Sequence, residues 1–153
     1  MEKILIKHIM TEKLTVATPD HTFSQLMNFL NLSDIHHLPV MEREQIIGII
    51  SLTDLMKTLH KRLNSGASMV MSDLDNELKV RDIMTAAPVT ISPDAEIEDA
   101  VGLLISNHFH ALPVVQDDKL LGIVTDYDLL QAYYKEKRPP AHFSISSPGF
   151  GIG

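Results

Sequence analysis

The chain has 153 residues, 44% hydrophobic and 22% charged, the balance of a folded globular chain and not of a disordered one. Its net charge of −7 opposes non-specific binding to nucleic acid and docking on an anionic membrane, both of which need a basic surface. Cysteine and tryptophan are absent, which removes disulfides, thiolate metal sites and Cys nucleophiles and leaves the core to Leu, Ile, Val and Met.

In chain order, residues 1–4 show no secretory signal, and no apolar run approaches a membrane span. With the lack of cysteine this gives a cytoplasmic expectation. Residues 14–16 are β-prone and are followed by a turn at Pro19-Asp20. Phe23, Leu26, Met27 and Leu30 then fall at i, i+3, i+4 and i+7, which predicts an amphipathic helix. Thr22 to Gln25 supplies its capping-box start. Residues 38–41 and 46–50 read as a β-hairpin, with Pro39 at an edge or a strand start. A second helix begins at Ser51 and ends at Asn64-Ser65-Gly66. Residues 68–76 read as a linker with one short helical or packed piece. Met27 and Met56 are expected in the core, and Met69 and Met71 over an interface.

The order then repeats. Residues 89–91, Pro93-Asp94, the helix of Ile97, Ala100, Val101 and Leu104, the hairpin 112–115/120–124 and the helix from Thr125 match the first set. Ile9-Met10-Thr11 returns as Ile83-Met84-Thr85, His36 as His110, Leu38-Pro39-Val40 as Leu112-Pro113-Val114, Gly48 as Gly122, Ser51 as Thr125 and Asp54 as Asp128. Every pair is 74 positions apart, as 83 − 9 = 74. Such a duplication constrains architecture more than a single motif does. Pro139-Pro140 stops the last helix, and the remaining residues form a Pro/Ser/Gly-rich tail, flexible or weakly docked.

Two positions repeat chemistry as well as packing. Ser51 with Asp54, and Thr125 with Asp128, stand where a strand becomes a helix. Each is a capping box. Each also forms a plausible nucleotide cradle: the helix start attracts phosphate, the hydroxyl donates to it, and the carboxylate accepts ribose hydroxyls. Gly48 and Gly122 lie in strands, where glycine implies a close backbone approach. The copies differ where Leu52 corresponds to Asp126, which adds a carboxylate to the second helix start and makes the two sites unequal. Lys7 and Arg81 are the basic residues available to offset it. His36, His37, His108 and His110 lack metal-ligand spacing and read as polar loop residues. No catalytic signature is present, so no enzymatic activity is expected.

A β-α-β-β-α unit opening on Ile-Met-Thr and closing on Leu-Pro-Val … Gly-Ile-(Ile/Val)-(Ser/Thr)-x-x-Asp-Leu resembles the CBS domain, and two copies resemble a stand-alone CBS pair, or Bateman module. The resemblance covers about residues 4–60 and 78–136. It implies an α/β (α+β) fold of two tandem repeats with pseudo-twofold symmetry: repeat 1 at 1–63, a linker at 64–77, repeat 2 at 78–138 and the tail at 139–153. It implies a regulatory module that binds AMP, ADP, ATP or S-adenosylmethionine between the repeats, with no cofactor and with Mg2+ only alongside ATP. Ser51, Asp54, Thr125 and Asp128 would hold ribose and phosphate. Thr11, Val16, His36, His37, Leu38 and Gly48, and Thr85, Val89, His110, Ala111, Leu112 and Gly122, would line the pockets. A homodimer is implied, its face drawn from Leu26, Leu30, Val101, Leu104 and Ile105; the downstream protein partner is open. The alternative is a ligand-free dimerisation scaffold.

Overall fold

The computed structural model describes residues 2–31 and 36–137; the tail and its expected weak docking lie outside them. Helix α1 (Phe23–Asn31) precedes a hairpin of β1 (His37–Glu42) and β2 (Gln45–Ser51), which runs into helix α2 (Leu52–Asn64). Helices α3 (Met71–Glu77) and α4 (Val80–Ile83) and the short strand β3 (Thr85–Ala86) follow. Helix α5 (Ile97–Asn107), the hairpin of β4 (Ala111–Gln116) and β5 (Lys119–Thr125), and helix α6 (Asp126–Lys137) repeat the first set. The α1 capping box forms as the sequence predicts: Thr22 N–H donates to Gln25 Oε1 at 2.9 Å and Gln25 N–H to Thr22 Oγ1 at 3.3 Å.

The β-prone pieces before α1 and α5 do not make strands of their own. Each adds one parallel bridge, Ala17 to Val40 and Ile91 to Val114. Pro39 and Pro113 explain the brevity. Neither has an N–H, so each offers its neighbour only a carbonyl, which accepts from Ala17 N–H and Ile91 N–H. In both hairpins the two loop residues, Arg43-Glu44 and Asp117-Asp118, have positive φ. That is the twist a two-residue hairpin needs, reached without the usual Asn-Gly.

The decisive feature is an exchange between the repeats. Ile6 and Lys7 donate their N–H groups to Ala95 O and Pro93 O, both at 2.9 Å, on the turn before α5. Seventy-four positions on, Val80 and Arg81 donate to His21 O and Pro19 O, both at 3.0 Å, on the turn before α1. An ion pair follows each docking, Lys7 with Asp94 at 2.7 Å and Arg81 with Asp20. Lys7 and Arg81 are therefore committed here and do not offset charge in the sites. The exchange continues into the sheets. Thr85 pairs with Ile49 of β2, and Thr11 pairs with Ile123 of β5 through hydrogen bonds of 2.8 and 3.0 Å.

Each core is therefore completed by the segment that leads into the other repeat. Leu74, Val80 and Ile83 join Ala17, Phe23, Leu26, Leu38, Val40, Ile50 and Leu55 in one core. Ile6 joins Ile91, Ala100, Leu104, Leu112, Val114, Val124 and Leu129 in the other. Within residues 64–77, α3 also holds α1 by its start. Ser24 N–H and Oγ–H both donate to the Asp75 carboxylate at 2.7 Å, which keeps that carboxyl below its ordinary range.

Two side-chain expectations change. Met56 is exposed, because it follows the fully buried Leu55 on α2 and so faces outward. Leu26 and Leu30 are buried in the first core and are not part of an exposed face, whereas Val101 and Ile105 are exposed and the largely buried Leu104 lines the groove beside them.

The strand glycines serve the exchange. A Cβ on Gly122 would stand 2.8 Å from the carbonyl oxygen of Thr11 and 2.9 Å from Met10 Sδ. A Cβ on Gly48 would stand 3.0 Å from the carbonyl oxygen of Thr85 and 2.5 Å from Met84 Sδ. The tightest contact of Gly122 is backbone fixed in a hydrogen-bonded pair, while that of Gly48 is the movable end of a methionine. Gly122→Ala should therefore cost ~1–3 kcal/mol and more than Gly48→Ala. Urea unfolding of the two variants measures this, and a larger loss for Gly48→Ala would contradict it.

Candidate functional site

At the start of α2, Ser51 is extended (φ −118°), and its hydroxyl accepts from Asp54 N–H at 3.1 Å. Ser51 N–H and Oγ–H donate back to Asp54 Oδ2 at 2.8 and 2.9 Å. The second copy is the same: Thr125 N–H and Oγ1–H reach Asp128 Oδ2 at 2.9 and 3.0 Å, and Asp128 N–H reaches Thr125 Oγ1 at 3.2 Å. Both pairs are thus helix caps. Each uses one carboxylate oxygen, and the Oδ1 of Asp54 and of Asp128 has no hydrogen-bond partner among the described residues. A cap of this kind fixes the hydroxyl and the free oxygen in one place without involving the rest of the helix.

Each cap opens into a cleft whose opposite wall comes from the other repeat. The first cleft joins Ile49, Ser51, Thr53, Asp54 and Lys57 to Thr85, Pro88, Val89 and the stretch from Asn107 to Ala111. The second joins Ile123, Thr125, Asp126, Tyr127 and Asp128 to Thr11, Lys13, Leu14, Thr15, His36 and His37. Their volumes, about 290 and 560 Å³, are near the ~300–1,000 Å³ of small-molecule sites.

Most of the residues singled out from sequence meet in these clefts. Ser51, Asp54, Thr85, Val89, His110 and Ala111 line the first, and Thr125, Asp128, Thr11, His36 and His37 the second. Five residues line neither. Leu38 and Leu112 are fully buried in the two cores, Gly48 and Gly122 lie against the exchanged segments, and Val16 is exposed. Two lysines that sequence reasoning passed over are present. Lys57 lies one turn beyond Asp54, a spacing that puts both on one helix face. Lys13 follows Thr11 in the leading segment, where only the exchange brings it to the second cleft.

The clefts share a wall. His37 lines both, and His110 of the first cleft meets Asp126 of the second at 2.9 Å between Nδ1 and Oδ2. Burial lowers the His37 pKa, with Asp126 opposing and His110 and His36 reinforcing the shift. Among the described residues no cluster of His, Asp and Glu could hold a metal ion.

Two clefts at corresponding positions, built crosswise by a duplicated unit, define a tandem-repeat module. The CBS-domain family model matches twice, at residues 6–61 and 80–135, and the chain belongs to that family as a tandem pair. It is similar to protein MJ1426 of Methanocaldococcus jannaschii, 34% identical over 155 residues covering 86% of this chain and 92% of that protein. The structure of CBSX2 of Arabidopsis thaliana in complex with AMP matches with a TM-score of 0.70 at 28% identity, over 88% of this chain and 98% of that one. The CBS pair of MJ0100, in complex with 5′-methylthioadenosine and S-adenosyl-L-methionine, matches in fold with a TM-score of 0.74 at 22% identity, over 90% of this chain and all of that one.

His37 gives the shared wall a pH dependence with a definite sign. Its folded pKa lies below the ordinary 6.5, so the unfolded chain takes the proton first as pH falls. The resulting stability is complete above the ordinary value and is lost as pH drops from there toward the folded value. His37→Asn should flatten the decline of melting temperature between about pH 7.5 and 5.5. An equally steep decline in the variant would refute the assignment.

Proposed function

We propose that the chain is a regulatory module that binds adenosine-containing ligands, one in each cleft. The observation that carries this reading is the crossed construction. Each cleft sets a hydroxyl, a free carboxylate oxygen and a helix start on one repeat against the leading segment and histidine loop of the other. The carboxylate oxygen can accept ribose hydroxyls, and the helix start favours a phosphate. A ligand held this way touches both repeats and favours one arrangement of them, which is population shift. CBSX2, which matches along nearly its whole length, has been crystallised with AMP. The Ser51 and Thr125 hydroxyls are engaged by their caps, and the reading assigns the module no catalysis of its own and Mg2+ only as a companion of ATP. No helix among the described residues is long and apolar enough to cross a membrane, and the acidic, cysteine-free composition supports a cytoplasmic setting.

Self-association through repeat 2 completes the proposal. Val101 and Ile105 of α5 and Leu130 and Tyr133 of α6 line one exposed apolar groove, the kind of patch that marks a protein contact. A second copy is the occupant assigned to it.

Thermal melts with AMP, ADP, ATP and S-adenosylmethionine test the ligand reading. A ligand at ~100 times its dissociation constant stabilises by ~2.7 kcal/mol. In calorimetry, Asp54→Ala and Asp128→Ala should each remove one of two binding events. If no ligand moves the melt, the chain is the ligand-free scaffold instead.

Ile105→Asp places a charge in the centre of the groove. Light scattering at tens of micromolar should give a dimer for the natural chain and a monomer for the variant. A monomeric natural chain would overturn the assignment.

A further inference from the structure

We infer that the two clefts take different classes of ligand: the first a phosphate-bearing adenosine derivative, the second one that carries no phosphate, with Asp126 as the residue that decides. The inference rests on the adenosine reading above and is carried by the backbone at the two helix starts.

An anion at a helix N-terminus is held by free amide N–H groups. The first amides of α2 and α6 are engaged alike: Leu52 N–H donates to His36 O and Asp126 N–H to His110 O. The third are also alike, taken by the Ser51 and Thr125 hydroxyls. The second amides differ. Thr53 N–H has no hydrogen-bond partner among the described residues, and Thr53 lines the first cleft. Tyr127 N–H donates to Asp126 Oδ1 at 2.8 Å. In the second cleft a carboxylate of the protein already stands where the first offers a donor to a phosphate oxygen.

Charge points the same way. The first cleft has Asp54 against Lys57, and the second has Asp126 and Asp128 against Lys13. Asp126 is also held in place. Its Oδ1 accepts from Tyr127 and its Oδ2 meets His110, so it is fixed at both oxygens at the rim of the cleft. Leu52 at the equivalent position carries neither charge nor acceptor. A neutral 5′-thioether or a positively charged sulfonium suits the second cleft, whereas a phosphate there adds to two carboxylates.

The test isolates each cleft in turn at pH 8, above the ordinary imidazole range. Asp54→Ala disables the first cleft and Asp128→Ala the second. Calorimetry with adenosine, 5′-methylthioadenosine, AMP and ATP then gives the ratio of phosphate-bearing to phosphate-free affinity. Asp128→Ala should bind AMP and ATP at least as tightly as adenosine, and Asp54→Ala should prefer the phosphate-free ligands by about tenfold or more, equivalent to ~1.4 kcal/mol. Adding Asp126→Leu, the residue of the first cleft, should raise the ratio of Asp54→Ala by about tenfold. Asp126→Asn keeps the shape and should raise it in the same direction if the leucine variant folds poorly. The preference should also shrink as salt rises. Equal ratios in the two clefts, or a ratio that Asp126→Leu and Asp126→Asn leave unchanged, overturn this inference while the adenosine reading stands. Binding of none of the four ligands by either single variant or by the natural chain overturns both.

Discussion

The structure depends on a reciprocal backbone contact. The turn at residues 6 and 7 hydrogen-bonds to the Pro93-Asp94 turn, and residues 80 and 81 hydrogen-bond to the Pro19-Asp20 turn. Neither sequence repeat closes its own core. Ile6 is fully buried among residues of the second repeat, and Val80 is fully buried among residues of the first. Separating the repeats would expose both side chains and break both sets of bonds. The unit as drawn in sequence therefore leaves its core incomplete, and each core is closed only in the pair.

The clefts follow from the same contact. Pairing of Thr11 with β5 and of Thr85 with β2 carries residues 13–15 and 88–89 across to the opposite caps. Gly48 and Gly122 permit that approach, because any side chain there would meet the crossing carbonyl. The caps then orient the chemistry. In each cap the carboxylate serves the helix with one oxygen and leaves the other free at the cleft, so the cap leaves that oxygen available without loss of its own bonds.

Divergence between the copies is confined to what surrounds this frame. Helix α3 covers the start of α1 through Asp75 and Leu74, and Glu98, the counterpart of Ser24, makes no such clamp among the described residues. The second repeat instead leaves an apolar groove between α5 and α6. Leu52 and Asp126 divide the two helix starts, and His110 ties Asp126 to the wall common to both clefts. A symmetrical scaffold thereby carries two unlike faces and two unlike pockets.

Much of this was legible along the chain. The 3.6-residue spacing of Phe23, Leu26, Met27 and Leu30, the hairpins around Pro39 and Pro113, the capping residues and the duplication are local or periodic, and each follows from propensity and pattern. Ser51, Asp54, Thr125 and Asp128 were found for the same reason, since a cap is a contact three residues long. Tertiary structure alone decided which halves face each other. The exchange of leading segments, the glycines' partners, the arrival of Lys13, and the loss of Leu26 and Leu30 from the surface all join residues far apart in sequence. Spacing within one repeat is blind to them, because the hydrogen bonds that make them run between repeats.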